Sequence, residues 1–374
     1  MKVMTILGTR PEIIRLSAVI ARLDTAPTID HVLVHTGQNW DPELSEIFFT
    51  DLGLRNPDHF LNASRKSLAH TYGDIMVRTE AVLLDELPDA VLILGDTNSA
   101  IAAVIARRMK VPVFHMEAGN RSFDANVPEE VNRRIVDHTA DFNLVYTEHA
   151  RRNLLAEGLE PRRIHLTGSP MREVLDRQRT KIEASTVTAD MDLEPGEFFL
   201  VSAHREENVD HPGRLAKLID AVTAVGERWN KPVLVSLHPR TRNRLGETAE
   251  AIERESRIVF HPPFGFNDYN RLQLDAACVL SDSGTITEEA SILEFSAVTI
   301  RDSMERPEGL DAGAIIMCGL ETDEVVAAVE TCMAVPAEGV SSLPDGYEIS
   351  DTSHRVLRLI LSLTGRSTFW SGLH

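Results

Sequence analysis

The chain has 374 residues, more than one hydrophobic core usually supports, so two domains of roughly 150 to 200 residues are expected. Its 57 acidic and 38 basic residues leave a formal net charge of −19, which excludes the broad basic face a nucleic-acid partner needs. An anionic small molecule stays open, because a few arginines and helix N-termini hold phosphate locally against the global sign.

The 43% hydrophobic and 25% charged content is that of an ordinary globular chain. Cys278, Cys318 and Cys332 are odd in number and lack zinc spacing, and they read as buried thiols in a reducing compartment. No run approaches the roughly 18 apolar residues of a membrane span, and the N-terminus reaches Gly8 too soon for a signal peptide. A cytoplasmic protein without membrane contact is expected.

The first apolar β run, residues 3–7, passes through Gly8-Thr9-Arg10 into a helix opening at Pro11. Further β runs are expected at 31–35, 90–94, 111–114, 142–146 and 164–166, with helical patterns between them. Residues 181–197 lack such a run and end in Glu194-Pro195-Gly196, a junction; a second series follows at 198–202, 233–237, 258–260, 278–280 and 297–300. The alternation predicts an α/β protein with two doubly wound parallel sheets, residues 1–180 and 181–350. Residues 351–374 hold a C-terminal helix expected to pack back on the first domain.

Ligands of such sheets bind outside the carboxyl ends of the strands, so a motif is weighed by whether it follows a strand. Gly8-Thr9-Arg10-Pro11-Glu12 follows the first, without the spaced glycines of a dinucleotide site or the Gly-Lys-Ser/Thr of a P-loop. Arg10 reads as a planar fork for a diphosphate or as a surface cation at a turn. Asp96, in Gly95-Asp96-Thr97-Asn98, reads as a cleft carboxylate or as a helix cap.

Glu117 takes the equivalent place after the next strand, where Ala118-Gly119 allows close backbone approach. Pro128 then opens a helix whose apolar positions Val131, Ile135 and Val136 leave Glu129, Asn132 and Arg133 to face a cleft. Glu129 and Glu130 also fit the plain role of complementing a helix dipole. If Asp96, Glu117 and Glu129 converge, crowding raises their pKa values, so that one holds a proton while another stays a base.

In the second series, His204 and Arg205 follow the first strand and suit a phosphate or bridging oxygen. Ser283 and Gly284 offer backbone N–H groups to an anion, Glu289 suits a ribose diol, and Thr285 with Glu288 fits a capping box. Arg306 adds a cation that either meets phosphate or pairs with Glu305 or Glu308. No His/Cys/Asp grouping has metal spacing, and no cofactor is expected.

Together, GTRPEIIRL, HTGQN, LGDTNS, HMEAGNRSFDANVPEEVNRRIVDH, SAHREEN, SDSGTITEEASIL and RDSMERPEG resemble the non-hydrolysing UDP-N-acetylglucosamine 2-epimerase family, in unbroken order from residue 1 to about 320. The resemblance implies two Rossmann-like domains of the GT-B kind with an interdomain cleft, a UDP-2-acetamido sugar substrate, and usually a homodimer. It places acid/base carboxylates on Asp96, Glu117 and Glu129, a catalytic histidine on His204, and nucleotide contacts on Arg10, Ser283, Gly284, Glu289 and Arg306. The implied reaction is elimination of UDP to a 2-acetamidoglucal and re-addition with C2 inverted.

Asn39 and Trp40-Asp41 depart from the commoner pattern at a segment where some members build an allosteric site, and AGNRSFD replaces AGLRT. With SAHREEN for GHRREN and Gly284-Thr285 for Gly-Gly, these look more like the branch acting on modified sugars, which includes the enzymes forming UDP-N-acetyl-L-fucosamine. Plain UDP-N-acetylglucosamine and a 6-deoxy or uronic-acid analogue both stand as substrates. A GT-B glycosyltransferase, a hydrolysing epimerase and a non-catalytic nucleotide-sugar sensor are the rival readings.

Overall fold

The computed structural model describes residues 1–38, 48–64, 66–124, 127–203, 205–209, 211–237, 245, 247–335 and 343–370. His204, Asn39, Trp40 and Asp41 lie outside the described residues. Two compact units are present, one of Met1–Arg177 with Asp345–His374, the other of Gln178–Pro344. The crossings thus fall at 177/178 and 344/345, where the sequence reading put 180/181 and 350/351.

The first unit holds a seven-stranded sheet: β1 (Lys2–Leu7), β2 (Asp30–His35), β3 (His59–Phe60), β4 (Ala90–Leu94), β5 (Val113–Met116), β6 (Phe142–Val145) and β7 (Ile164–Leu166). Their order is β3-β2-β1-β4-β5-β6-β7 with every pairing parallel. All five residues of β4 are buried, as a strand covered by helices on both faces requires. The helix Thr352–Trp370 belongs to this unit and is tied in by buried polar contacts. Glu173 accepts from the Ser353 amide at 2.8 Å and its hydroxyl at 2.5 Å, and Ser367 Oγ donates to Asp141 at 2.8 Å.

The second unit holds β8 (Phe199–Ser202), β9 (Val233–Ser236), β10 (Ile258–His261), β11 (Cys278–Ser281), β12 (Ala297–Ile300) and β13 (Ile316–Cys318). They form a parallel sheet in the order β10-β9-β8-β11-β12-β13. The period of two splits β8 between two cores: Phe199 and Val201 join one apolar cluster, Leu200 and the preceding Phe198 another. Both sheets are therefore doubly wound, and in each the strand order reverses once, between β1 and β4 and between β8 and β11.

Three local expectations are corrected. The run expected at 111–114 pairs instead over Val113–Met116, because Pro112 has no N–H for the ladder and serves as acceptor for Val91 N at 2.8 Å. The edge strands β3 and β13, two and three residues long, were not expected, although β13 lies in the apolar run Ala314-Ile315-Ile316-Met317-Cys318.

The helix Pro128–Thr139 departs in part from expectation: Val136 is buried as its apolar position requires, but Asn132 and Arg133 are 3% and 2% exposed, whereas Val131 and Ile135 are 57% and 38% exposed. Its polar groups are buried because each meets a partner: Glu130 accepts from Ser122 N, Asn132 donates to the Asp96 carbonyl, Arg133 pairs with Glu117 and Asp137 with Arg121.

Candidate active site

In the first unit the site grows from the switch point between β1 and β4. Any side chain at Gly8 would place its Cβ 2.0 Å from Thr36 Oγ1 and 2.1 Å from Ser99 Oγ, so the chain leaves β1 through a residue without one. Arg10 then opens the helix Arg10–Thr25, exposed, with its guanidinium 5.4 Å from the centre of the Phe48 ring.

Glu12, buried in that helix, gathers the two loops of the switch point. It accepts from Gly8 N at 2.9 Å, Thr9 Oγ1 at 2.8 Å and Thr97 Oγ1 at 3.0 Å. Burial nevertheless pushes its carboxyl up from 4.5 to about 7, against those three donors. A carboxyl whose folded pKa exceeds its unfolded one binds its proton more tightly when folded. Its stabilisation is therefore complete below pH 4.5 and is lost as the pH rises through 7, a difference of about 3 kcal/mol. Glu12→Gln should remove that slope, so urea unfolding at pH 5 and pH 8 should show the parent losing about 3 kcal/mol more than the variant. Equal slopes would remove Glu12 as the source.

Asp96 follows β4. The cap of the next turn, Asn98–Ile101, is made by Thr97, whose hydroxyl accepts from Ser99 N at 3.2 Å, and Asp96 points elsewhere. Its carboxylate pairs with Arg133 Nη2, which lies 3.1 Å from Glu117 Oε1, and Arg133 Nη1 donates to the Glu117 carbonyl. Arg15, buried in the helix Arg10–Thr25, pairs with Glu117 Oε2. Two carboxylates and two guanidiniums thus meet at the ends of β4 and β5.

This corrects the electrostatics read from sequence. Asp96 and Glu117 do converge, but arginines stand among them, so attraction to cations accompanies any mutual repulsion. Arg133 is a member of this buried cluster. Asn132 donates to the Asp96 carbonyl at 2.9 Å and accepts from the Tyr72 hydroxyl. Burial raises the Tyr72 phenol, the bond to Asn132 opposes this, and the charge of Glu129 adds to it. Glu129 itself is exposed in the first turn of Pro128–Thr139, at the edge of the cluster.

Arg15 is the site residue that the sequence reading missed. The signal was present: Glu12 and Arg15 interrupt the stripe of Ile13, Leu16, Val19, Ile20 and Leu23 that packs the helix inward, and charges on a buried stripe mark a site.

In the second unit the equivalent switch point, between β8 and β11, brings Arg205, Ser283, Gly284 and Arg306 together. Arg205 donates from its amide to Asp282 Oδ2 at 3.1 Å and from Nε to the Asp282 carbonyl at 3.0 Å, and its Nη2 lies 3.1 Å from Glu305. A Cβ on Gly284 would sit 3.8 Å from Arg205 Nη2 and 3.9 Å from Arg306 Nε, so two guanidiniums flank this backbone just before the helix Ile286–Leu293. Peptide N–H groups with two flanking cations suit a diphosphate. Glu289, buried one turn in, accepts from Gln273 at 2.7 Å.

One expectation fails here. Thr285 makes no capping box: it has helical φ and ψ of −80° and −19°, and its hydroxyl lies 2.9 Å from Ser283 Oγ. Glu288 is instead buried against Arg306, 3.1 Å away, whereas Glu305 receives Arg205 and Arg301.

The sequence model of the UDP-N-acetylglucosamine 2-epimerase family matches residues 21–361. The chain is similar to UDP-2,3-diacetamido-2,3-dideoxy-D-glucuronate 2-epimerase of Pseudomonas aeruginosa, 34% identical over 94% of this chain and 97% of that protein. Among solved structures it is similar to UDP-N-acetylglucosamine 2-epimerase from Rickettsia bellii, with a TM-score of 0.91 and 44% identity over 98% of each chain. It is also similar to the Methanocaldococcus jannaschii UDP-GlcNAc 2-epimerase in complex with UDP-GlcNAc and UDP, with a TM-score of 0.89 and 35% identity over 97% of this chain and all of that one. A family match over most of the length, on two doubly wound sheets with carboxylates and guanidiniums gathered at their switch points, is decisive: the chain belongs to the UDP-N-acetylglucosamine 2-epimerase family.

Proposed function

We propose that this protein inverts C2 of a UDP-2-acetamido sugar without releasing free sugar. The observation that carries the reading is the pair of carboxylates, Asp96 and Glu117, set among Arg15 and Arg133 at the carboxyl ends of β4 and β5. A C2 hydrogen not adjacent to a carbonyl is weakly acidic, so its removal must be coupled to departure of the group on C1. One carboxylate takes the C2 proton, the C2–H electrons form the C1–C2 double bond, and the C1–O bond breaks to release UDP. The diphosphate oxygen then adds back to C1 while a proton reaches C2 from the opposite face.

Cations suit the leaving diphosphate, and Arg10, Arg205 and Arg306 with the Ser283 and Gly284 backbone are assigned that task. Glu289 takes the ribose hydroxyls. Asp96, Glu117 and Glu129 act as a coupled acid/base set, with His204 at the bridging oxygen. The substrate is UDP-N-acetylglucosamine, giving the manno epimer. A 6-deoxy or uronic-acid analogue is the second reading, favoured by the 34% identity to the diacetamido-glucuronate enzyme. We further infer a cytoplasmic homodimer that uses no cofactor. Among the described residues no helix is long and apolar enough to cross a membrane.

The protein incubated in heavy water with each UDP-2-acetamido sugar should exchange the C2 hydrogen and yield the epimeric UDP-sugar, with the preferred sugar turned over fastest. Release of UDP and free sugar without an epimeric UDP-sugar would overturn the reading.

A further inference from the structure

Behind the carboxylates lies a second buried pair that no step of this reaction uses. His115, on β5, and Asp137, on the helix Pro128–Thr139, are both fully buried. His115 Nδ1 lies 2.9 Å from Asp137 Oδ1, and its Nε2 lies 2.7 Å from the Gly95 carbonyl. Asp137 also accepts from Gly119 N, 3.2 Å from each oxygen, and from Arg121 Nη1 at 2.7 Å. Arg121 is itself anchored to Glu157 through Nε at 2.8 Å and Nη2 at 2.7 Å.

What these contacts hold is specific. The peptide of Gly95, immediately before Asp96, is gripped on both sides by β5: its N–H donates to the Met116 carbonyl at 3.0 Å and its C=O faces His115. Glu117 sits between His115 and Gly119, with a φ of +61°, in the left-handed region that a residue with a side chain avoids. Such a conformation persists when its surroundings over-determine it, and here both flanks are fixed. Along one helix face, Arg133 meets the carboxylates while Asp137, one turn on, meets the backbone behind them.

We propose that His115 and Asp137 are positioning residues that lock the Gly95-Asp96 and Glu117–Gly119 loops in one arrangement, so that both carboxylates present a fixed geometry to sugar C2. The inference rests on the function proposed above. Buried ion pairs of this kind are poor contributors to stability compared with apolar packing, whereas a base displaced by 1 Å loses about a hundredfold in rate. Burial works against the charge on Asp137, but the bond from His115 and the charges of His115, Arg121 and Arg133 hold its carboxyl below the ordinary range. It therefore stays an acceptor for the Gly119 amide.

The test uses the full chain, with His115→Leu removing both ties, and His115→Gln keeping an N–H for the Gly95 carbonyl. Asp137→Asn serves as a second, milder probe. Initial rates of C2 exchange, UDP affinity by calorimetry and thermal melts are compared. His115→Leu should lower kcat about a hundredfold with KM and UDP Kd within about threefold, and His115→Gln should recover to within about tenfold of the parent.

If His115→Leu does not fold, His115→Gln and Asp137→Asn decide, each expected to lower kcat about tenfold at unchanged KM. Folded variants with the parent kcat would overturn the inference. So would losses of kcat and of UDP binding that both track the folded fraction, the mark of a structural role. A parent that shows no C2 exchange would sink the proposed function itself, whereas an active parent matched by its variants sinks the positioning role alone.

Discussion

Glu117→Gln should slow C2 exchange by about a thousandfold per folded molecule while leaving UDP affinity within about threefold. The side chain carries both conditions for a large effect. Its carboxylate receives two buried guanidiniums, those of Arg15 and Arg133. It also lies directly after β5, where the backbone leaves it a single conformation. The amide is close to isosteric and still accepts a hydrogen bond from a guanidinium, but it cannot take a proton from carbon. Removing one anion from a buried cluster with two cations also costs stability, on the order of 3 kcal/mol, so the rate must be normalised to folded protein by circular dichroism. Exchange within tenfold of the parent would move the acid/base role away from Glu117.

Gly119→Ala should be among the most damaging small substitutions in the first unit, lowering stability by at least about 3 kcal/mol and the melting temperature by roughly 10 °C. Two independent penalties coincide. Gly119 has a φ of +82°, and a Cβ there would lie 2.4 Å from the Ala150 carbonyl oxygen and 2.9 Å from its carbon, which are backbone atoms that cannot swing aside. Relief requires moving the 117–119 loop itself, so exchange should fall with stability. A melt within 2 °C of the parent would show that the loop shifts freely, against the argument from close approach.

The doubly wound sheets were legible because buried parallel strands write themselves as continuous apolar runs: 90–94 and 297–300 coincide with β4 and β12 to the residue. Asp96 and Glu117 were legible from their position after strands, and Arg133 from the polar positions of the helix that opens at Pro128. What failed was the assumption that apolar residues point inward. Val136 does point inward, but Val131 and Ile135 face outward because Arg133, Asn132 and Asp137 have partners 16 or more residues away in sequence, which no local period reports. Arg15 was missed for the same reason, since its partner Glu117 lies on another strand. Short edge strands such as β3 are specified by the neighbour they pair with, and the capping box failed because the Thr285 hydroxyl meets Ser283 while Glu288 meets Arg306.

The return of the chain to its first unit imposes an order on biogenesis. Synthesis runs through the whole of Gln178–Pro344 before the helix Thr352–Trp370 exists, so a nascent first unit must wait with Glu173 and Asp141 lacking Ser353 and Ser367. Phe142, which meets the Trp370 ring edge-on at 6.0 Å, waits with them. Completion of the unit that carries Asp96 and Glu117 thus follows synthesis of the whole second unit, so their buried cluster gains its finished surroundings only after Arg205 and Arg306 have been made.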